Sequence, residues 1–400
     1  MTGTWPRILT LWMSGILAAA QFARLSVLAP QLQAQLSLTL SQVGWLISLL
    51  EVGGASLGFV AGLLLAVINL RRALLTGLGI LSVTGFVQAF ASNVTVLFAT
   101  RAVEGIGYLL VVIAAPTAIA GVASDLIRPR ALALWSTFVP VGIAVGAGIT
   151  GALLCVVESR TAMLIWSFSI ALAAALVARM PMPPTTRHRV ELPAPAAWMS
   201  TFGFGLYTVF ISALTMLLPS FLIERTGADT GMAALVAALA SLGALPATGG
   251  AILWMHRHAL DRRRSAIISM MSVATAMPFV LALYRLDNPG LVISATLAVL
   301  AVVVSGLVPP ITFARLPRLA GAITSEDPKI ATANGLITQF GAGGALIGPP
   351  LAGLIVGRWS WSALGLAGCG LLAAIAIVTV LAESLATDPQ ATPRAQAGVS

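Results

Sequence analysis

The chain has 400 residues, of which 58% are hydrophobic and only 9% charged, and its mean hydropathy is +0.98. A water-soluble globule of this length needs far more polar surface, so composition excludes one and requires an integral membrane protein. The net charge of +9 falls in short loops between apolar runs and forms no basic domain, which argues against a nucleic-acid partner and for a lipid bilayer.

Apolar runs bounded by charges or turn residues predict an all-α polytopic membrane protein of twelve helices. The runs lie near residues 8–30, 42–68, 73–91, 95–123, 131–156, 161–180, 197–222, 231–255, 265–284, 290–315, 331–357 and 361–383. Each is close to the ~20 residues that a helix needs to cross the hydrocarbon. The first has one early cation, Arg7, and no small-residue cleavage site, so it reads as a retained helix and not as a signal peptide. It also carries Arg24 inside its apolar stretch.

The second run places Gly44, Ser48, Glu51, Ala55, Gly58 and Gly62 at three-four spacing, a small-residue face on which another helix can approach closely, with Glu51 in the seam. The fourth run holds Arg101 and Glu104 well inside an apolar stretch. A charge at such depth costs at least ~2.5–3.5 kcal/mol on insertion scales, so these side chains must face protein or a wet cavity. Counting ~1.5 Å per residue from the nearer helix end puts Arg24 and Arg101 about 9 Å deep, and Glu51 and Glu104 about 13 Å.

Between the sixth and seventh runs, R-M-P-M-P-P-T-T-R-H-R-V-E-L-P-A-P from Arg179 to Pro195 has linker composition. The expected organisation is therefore a six-helix bundle over 1–180, a cytoplasmic linker over 181–195, a second six-helix bundle over 196–384, and a disordered cytoplasmic tail over 385–400. Lysine and arginine concentrate in one set of loops, among them Arg71, Arg72, Arg128, Arg130 and Arg262 to Arg264, whereas the opposite set holds only Arg160, Arg225, Arg285 and Arg358. That bias puts both termini in the cytoplasm. Arg315 counts here as a cytoplasmic loop residue.

The two cysteines, Cys155 and Cys369, sit in apolar segments, where neither a disulfide nor a metal is the default. The histidines, His188, His256 and His258, fall in loops; the spacing of the last two would suit a metal, but solvated loop histidines are the preferred reading, and no metal and no cofactor are expected.

The two halves echo one another. Arg71-Arg72 after the second run recurs as Arg262-Arg263-Arg264 after the eighth, and G-I-A-V-G-A-G-I-T-G from Gly142 is echoed by G-A-G-G-A-L-I-G-P-P from Gly341. Two related six-helix halves are the mark of a rocking transporter with its site between them.

On these residues the chain resembles the major facilitator superfamily over nearly its whole length: six plus six spans, a basic central loop, the R-x-x-x-G-x-G pattern at Arg101, Gly105 and Gly107, and basic loops after spans two and eight. It departs from the family's first-half loop, having Gly62 followed by Ala66 and Val67 in place of Asp-Arg, and retains only Arg71-Arg72, which puts the usual charge lock in question. Pro140-Val141-Gly142 replaces the Gly-Pro pair of the drug-antiporter branch. The stretch from Arg24 through L-A-P to Leu40-Ser41-Gln42-Val43-Gly44 is similar to branches that carry small anions, including the cyanate-permease type. In a facilitator fold helices one and four line the central cavity, which would let Arg24 and Arg101 point into it.

The functional expectation is a secondary active transporter, a monomer in a bacterial inner membrane, moving a small organic or inorganic anion by alternating access with proton coupling. Arg24 and Arg101 would bind the anion through their forked donors, with Tyr207 and Gln339 from the other half as hydrogen-bonding partners. Glu51 or Glu104 would carry the proton, because desolvation and a neighbouring arginine oppose each other in setting a carboxyl's affinity for it. Each residue also has a plain reading: Arg101 and Glu104, three apart, as a structural pair; Arg24 as snorkelling to the interface; Glu51 as a helix-contact group; Tyr207 and Gln339, with Thr208, Ser212, Thr215, Asn334 and Thr338, as polar glue between helices. Gly142, Gly146, Gly341, Gly344 and Gly348 read as close-packing and hinge positions.

Enzyme signatures are missing. The single lysine, Lys329, follows Pro328 and no glycine-rich loop, so the sequence has no phosphate-cradling motif and a gradient must supply the energy. The rival function is a proton-driven efflux antiporter of drugs or metabolites, in which a glutamate alternates between a proton and a cationic substrate.

Overall fold

The computed structural model describes residues 3–64, 69–123, 131, 134–135, 137–182, 191–257, 261–287, 289–322 and 328–386. Among these residues every regular element is helical. Span 1 is Thr4–Leu36; span 2 is Leu40–Ser48 followed by Val52–Leu64; spans 3 and 4 are Leu70–Ala89 and Val94–Val122; spans 5 and 6 are Phe138–Leu154 and Ser159–Ala178. Span 7 is Pro195–Met216, continued by Leu218–Thr226; span 8 is Thr230–Leu242 followed by Ala244–Arg257; span 9 is Arg262–Arg285. Span 10 is Gly290–Ser305 followed by Val308–Leu319, and spans 11 and 12 are Pro328–Arg358 and Trp361–Leu385. Eleven of the twelve are long and apolar enough to cross a bilayer, and the fifth is a shorter apolar helix.

Short polar connections start the helices. Thr39 and Gln42 form a reciprocal capping box at the start of span 2, and the side chains of Asn69, Asn93, Asp229, Asp261 and Ser360 each accept from a backbone N–H of the first turn of the helix that follows. Apolar side chains such as Phe168, Leu253, Val292 and Ile377 point outward, where a soluble protein would carry polar groups. The interior instead holds small residues and buried polar groups, the arrangement of a bundle whose outer solvent is lipid.

Four spans are interrupted, three of them beside proline. Pro219, Pro246 and Pro309-Pro310 have no N–H to offer the preceding turn, and the breaks lie at Leu217, Gly243 and Gly306-Leu307. Span 2 breaks without proline, at a 3-10 turn over Leu49–Glu51.

The glycine-rich spans 5 and 11 occupy equivalent places. Span 5 packs on span 1: a Cβ on Gly146 would lie 2.5 Å from the Ala20 carbonyl oxygen. Span 11 packs on span 7 in the same way, a Cβ on Gly348 lying 2.5 Å from the Val209 carbonyl oxygen. Six helices thus separate each partner from its counterpart, as the sequence repeat implies.

Two seams join spans 1–6 to spans 7–12. Span 2 lies against span 11 along its length: Gly353 meets Leu40 and Ser41 at one end, Gly44 meets Pro349 and Pro350, Gly54 meets Ala342, and Gly335 meets Phe59 at the other. The small-residue face of span 2 is therefore the seam. Span 5 lies against the Thr230–Leu242 half of span 8, with Gly151 on Ala234, while the Ala244–Arg257 half lies against span 10. At the end of the molecule marked by Ser37, the Ser26 hydroxyl also donates to the Met216 carbonyl.

Part of the expected linker, 183–190, and of the expected tail, 387–400, lies outside the described residues, as do Ala66, Val67, His188 and His258. At the end of the expected linker, the Thr332 hydroxyl donates to the Glu191 carbonyl at 2.5 Å and the Ala194 N–H to the Ala320 carbonyl at 3.1 Å.

Candidate functional site

Arg24 of span 1 and Arg101 and Glu104 of span 4 meet in one cluster, and all three are fully buried at 0% exposure. Arg101 Nη1 donates to Glu104 Oε2 at 2.9 Å, and Arg24 Nη2 approaches Glu104 Oε1 at 3.4 Å. A fourth member, Gln88 of span 3, donates from Nε2 to Glu104 Oε2 at 2.8 Å and accepts from Arg24 Nη2 through its own Oε1. Snorkelling of Arg24 is thereby overturned, because its head group points into the bundle. The expected Arg101–Glu104 pair is formed, and it is the centre of a larger network.

Arg101 has a further task. Its Nε donates to the Leu46 carbonyl at 2.9 Å, and its Nη2 donates to the carbonyls of Ile47 at 2.9 Å and Gln21 at 3.1 Å. Leu46 and Ile47 close the first half of span 2, immediately before the 3-10 turn, so the guanidinium caps a helix end inside the bundle and ties spans 1, 2 and 4 together. Arg24 is less occupied: its Nε and Nη1 are buried and unpartnered, and the Oε1 of Gln21, one turn earlier, is likewise unpartnered.

Glu51 ends the 3-10 turn. It is half-buried, lies within electrostatic reach of Arg101 and Tyr108, and has no hydrogen bond or ion pair among the described residues. Its Oε2 lies 3.3 Å from where a Cβ on Gly54 would stand, and that Cβ would also press on Ala342 of span 11. The carboxyl group therefore faces the seam between the two halves. Tyr108 packs edge-on against Phe22, with ring centroids 5.3 Å apart, and closes the same space from span 4.

The residues expected from the second half do not join this cluster. Tyr207 is buried, stacks on Phe204 at 6.2 Å and pairs its hydroxyl with Ser305 of span 10. Gln339 accepts the Phe59 N–H on its Oε1 at 3.0 Å, bridging span 11 to span 2. Thr208, Ser212 and Thr215 return their hydroxyls to carbonyls one turn back in span 7. The side chain of Asn334 lies outside the described residues.

The family model described as Major Facilitator Superfamily matches residues 11–325. The chain belongs to the Major Facilitator Superfamily. No curated protein sequence matches it. Solved superfamily structures superpose closely at low identity. A bacterial homologue of the human lysosomal transporter Spinster, in an inward-facing and unoccupied conformation, gives a TM-score of 0.74 at 16% identity over 96% of this chain and 99% of that one. A mutant of the nucleoside transporter NupG gives 0.73 at 13% identity over 94% and 99%, and the D-xylose-proton symporter gives 0.69 at 15% over 94% and 95%. At such identities the likeness shows the fold alone: the chain is a multi-pass secondary transporter in architecture.

Within this facilitator scaffold the second half holds a buried ion pair that the sequence reading missed. Arg315 lies inside span 10 and not in a loop; it is 6% exposed, and its Nε donates to Glu383 Oε1 of span 12 at 2.8 Å while Nη2 engages Oε2. Ser265 of span 9 donates to the same Oε1 at 2.7 Å. A cavity of about 20 Å³, room for one water, adjoins the pair and is lined by the hydroxyls of Ser200, Ser269, Thr312 and Thr379. Arg315 closes the tenth apolar run and Glu383 the twelfth, so both look like boundary charges in the sequence; only their apolar flanks hinted otherwise.

Proposed function

We propose that this superfamily member carries a small organic or inorganic anion by alternating access between spans 1–6 and spans 7–12, with protons as the coupling ion. One observation carries the reading: two arginines are fully buried, and a single carboxylate, Glu104, is in contact with both. An excess positive charge in a low-dielectric bundle attracts an anion and repels a cation. Arg24, with two unpartnered nitrogens, supplies the donors, and Arg101 supplies charge while holding span 2 in place. Tyr207 and Gln339 belong to the approaching half and contact substrate after the halves close. Glu104 is held by three donors, which leaves Glu51 as the favoured proton carrier. In this reading the protein works as a monomer in a bacterial inner membrane, and the loop charges favour cytoplasmic termini.

Counterflow in proteoliposomes tests this. The purified protein should exchange at least one labelled solute from a panel of monocarboxylates and inorganic oxyanions, and Arg24→Ala should reduce that exchange at least ten-fold. Exchange of cationic solutes alone would overturn the reading. That outcome belongs to the efflux antiporter, which draws on one observation, the unpaired carboxylate of Glu51 at the seam.

A further inference from the structure

The buried charges of spans 1–6 can be summed. Arg24 and Arg101 contribute two positive charges and Glu104 one negative charge, all fully buried, with Glu104 in contact with both arginines. Glu51 is the remaining ionisable carboxyl beside them, half-buried at the break in span 2 and turned to the seam with span 11. The charged or titratable groups facing it are Arg101 and Tyr108 of span 4; span 11, packed on its other side, presents Ala342 and Gln339, neither of which titrates. With Glu51 ionised the group is neutral. With Glu51 protonated it carries one uncompensated positive charge, which a low-dielectric interior tolerates poorly.

Resting on the anion-carrier reading, we infer that the protein selects monovalent over divalent anions and moves one proton with each, because the anion replaces the Glu51 carboxylate as the single balancing charge. In the empty carrier Glu51 is ionised and compensates the arginines. When a monoanion is held by the unpartnered nitrogens of Arg24, Glu51 takes a proton from the same side, and the loaded carrier has the same net charge as the empty one. On the far side the anion leaves, Glu51 returns its proton to water, and the cycle closes with no net charge moved. A dianion would leave the group one charge negative, so it is disfavoured by the same repulsion that makes an unbalanced cation costly.

The test uses the full-length protein in liposomes, with formate, lactate and benzoate as labelled monoanions and oxalate and succinate as dianions. An interior more alkaline by one pH unit should accumulate the exchanged monoanion about ten-fold, the limit for one proton per anion. A potassium diffusion potential of either sign, set with valinomycin at equal pH, should change its uptake by less than about two-fold, the scatter expected of an electroneutral step. Glu51→Gln should abolish accumulation driven by the pH gradient, and Glu51→Asp should retain it. Monoanion uptake that follows the potential, preferential exchange of the dianions, or undiminished accumulation in Glu51→Gln would overturn the inference. If Glu51→Gln does not fold, the potential measurement on the native protein decides alone. Failure of the parent reading looks different: no anion of the panel exchanges at all, and the inference falls with it.

Discussion

The guanidinium of Arg101 hydrogen-bonds the backbone carbonyl of Ile47 at 2.9 Å, at the point where the second span passes from α to 3-10 geometry. A side chain from span 4 thus completes a helix end that span 2 cannot complete for itself. It does so while fully buried inside the bundle.

Removing Arg101 should therefore cost more than a salt bridge. Arg101→Ala strips the donors from three carbonyls and leaves Glu104 without its closest cation, a class of change that costs roughly 3–5 kcal/mol. The purified variant should melt well below the native protein in detergent. The double variant Arg101→Gln/Glu104→Gln should recover none of that loss in the same thermal melt, because it leaves Arg24 buried without its carboxylate. Equal melting of the single variant and the native protein would show that the cap carries no load.

Arg315 and Glu383 offer a cleaner cycle. Arg315→Met alone leaves Glu383 buried with only Ser265 as donor and should destabilise by roughly 3–5 kcal/mol, whereas Arg315→Met/Glu383→Leu should be close to neutral. Thermal melts of the two singles and the double give the coupling directly. A double variant as unstable as the singles would contradict the pairing.

The repeated glycine contacts predict a matched pair of effects. Gly146→Val and Gly348→Val each place a branched side chain against a backbone carbonyl on the neighbouring span and should cost at least about 1–3 kcal/mol of overpacking. Gly370 has open space around the position of its Cβ, so Gly370→Ala should hold or raise the melting temperature, by up to about 1 kcal/mol of helix propensity. The folded fraction on size-exclusion chromatography, measured after a fixed heat step, separates the three variants.

The native cysteines report sidedness. Cys155 is exposed at the Ser37 end of span 5, whereas Cys369 is partly buried in span 12. A membrane-impermeant maleimide added to intact cells should label Cys155 first, with Cys155→Ser as the control. Labelling that requires broken cells would reverse the orientation drawn from the loop charges.

The span count and the buried charges of the first half were legible in the sequence, because an arginine or glutamate inside a long apolar run is conspicuous. What these groups touch was not. The carbonyls of Leu46 and Ile47 leave no mark in a residue string, and Gln88, a neutral amide near the end of span 3, gave little reason to be placed with Glu104. Arg315 and Glu383 misled for another reason. Each closes an apolar run, so each resembles an ordinary boundary charge, and 68 residues separate two groups that only the packing of spans 10 and 12 brings together. Tyr207 and Gln339 were recognised as buried polar residues, yet periodicity cannot say that one looks to Ser305 and the other across to Phe59.

The contact between spans 2 and 11 has a mechanical consequence. These helices touch from Gly353 at Leu40 to Gly335 at Phe59, whereas span 5 meets span 8 mainly through the Thr230–Leu242 part. The two halves are therefore joined by a full-length, glycine-lined seam on one edge and by a half-length seam on the other. A gate between the halves has least to separate at the Ala244–Arg257 part of span 8, beyond the reach of the half-length seam.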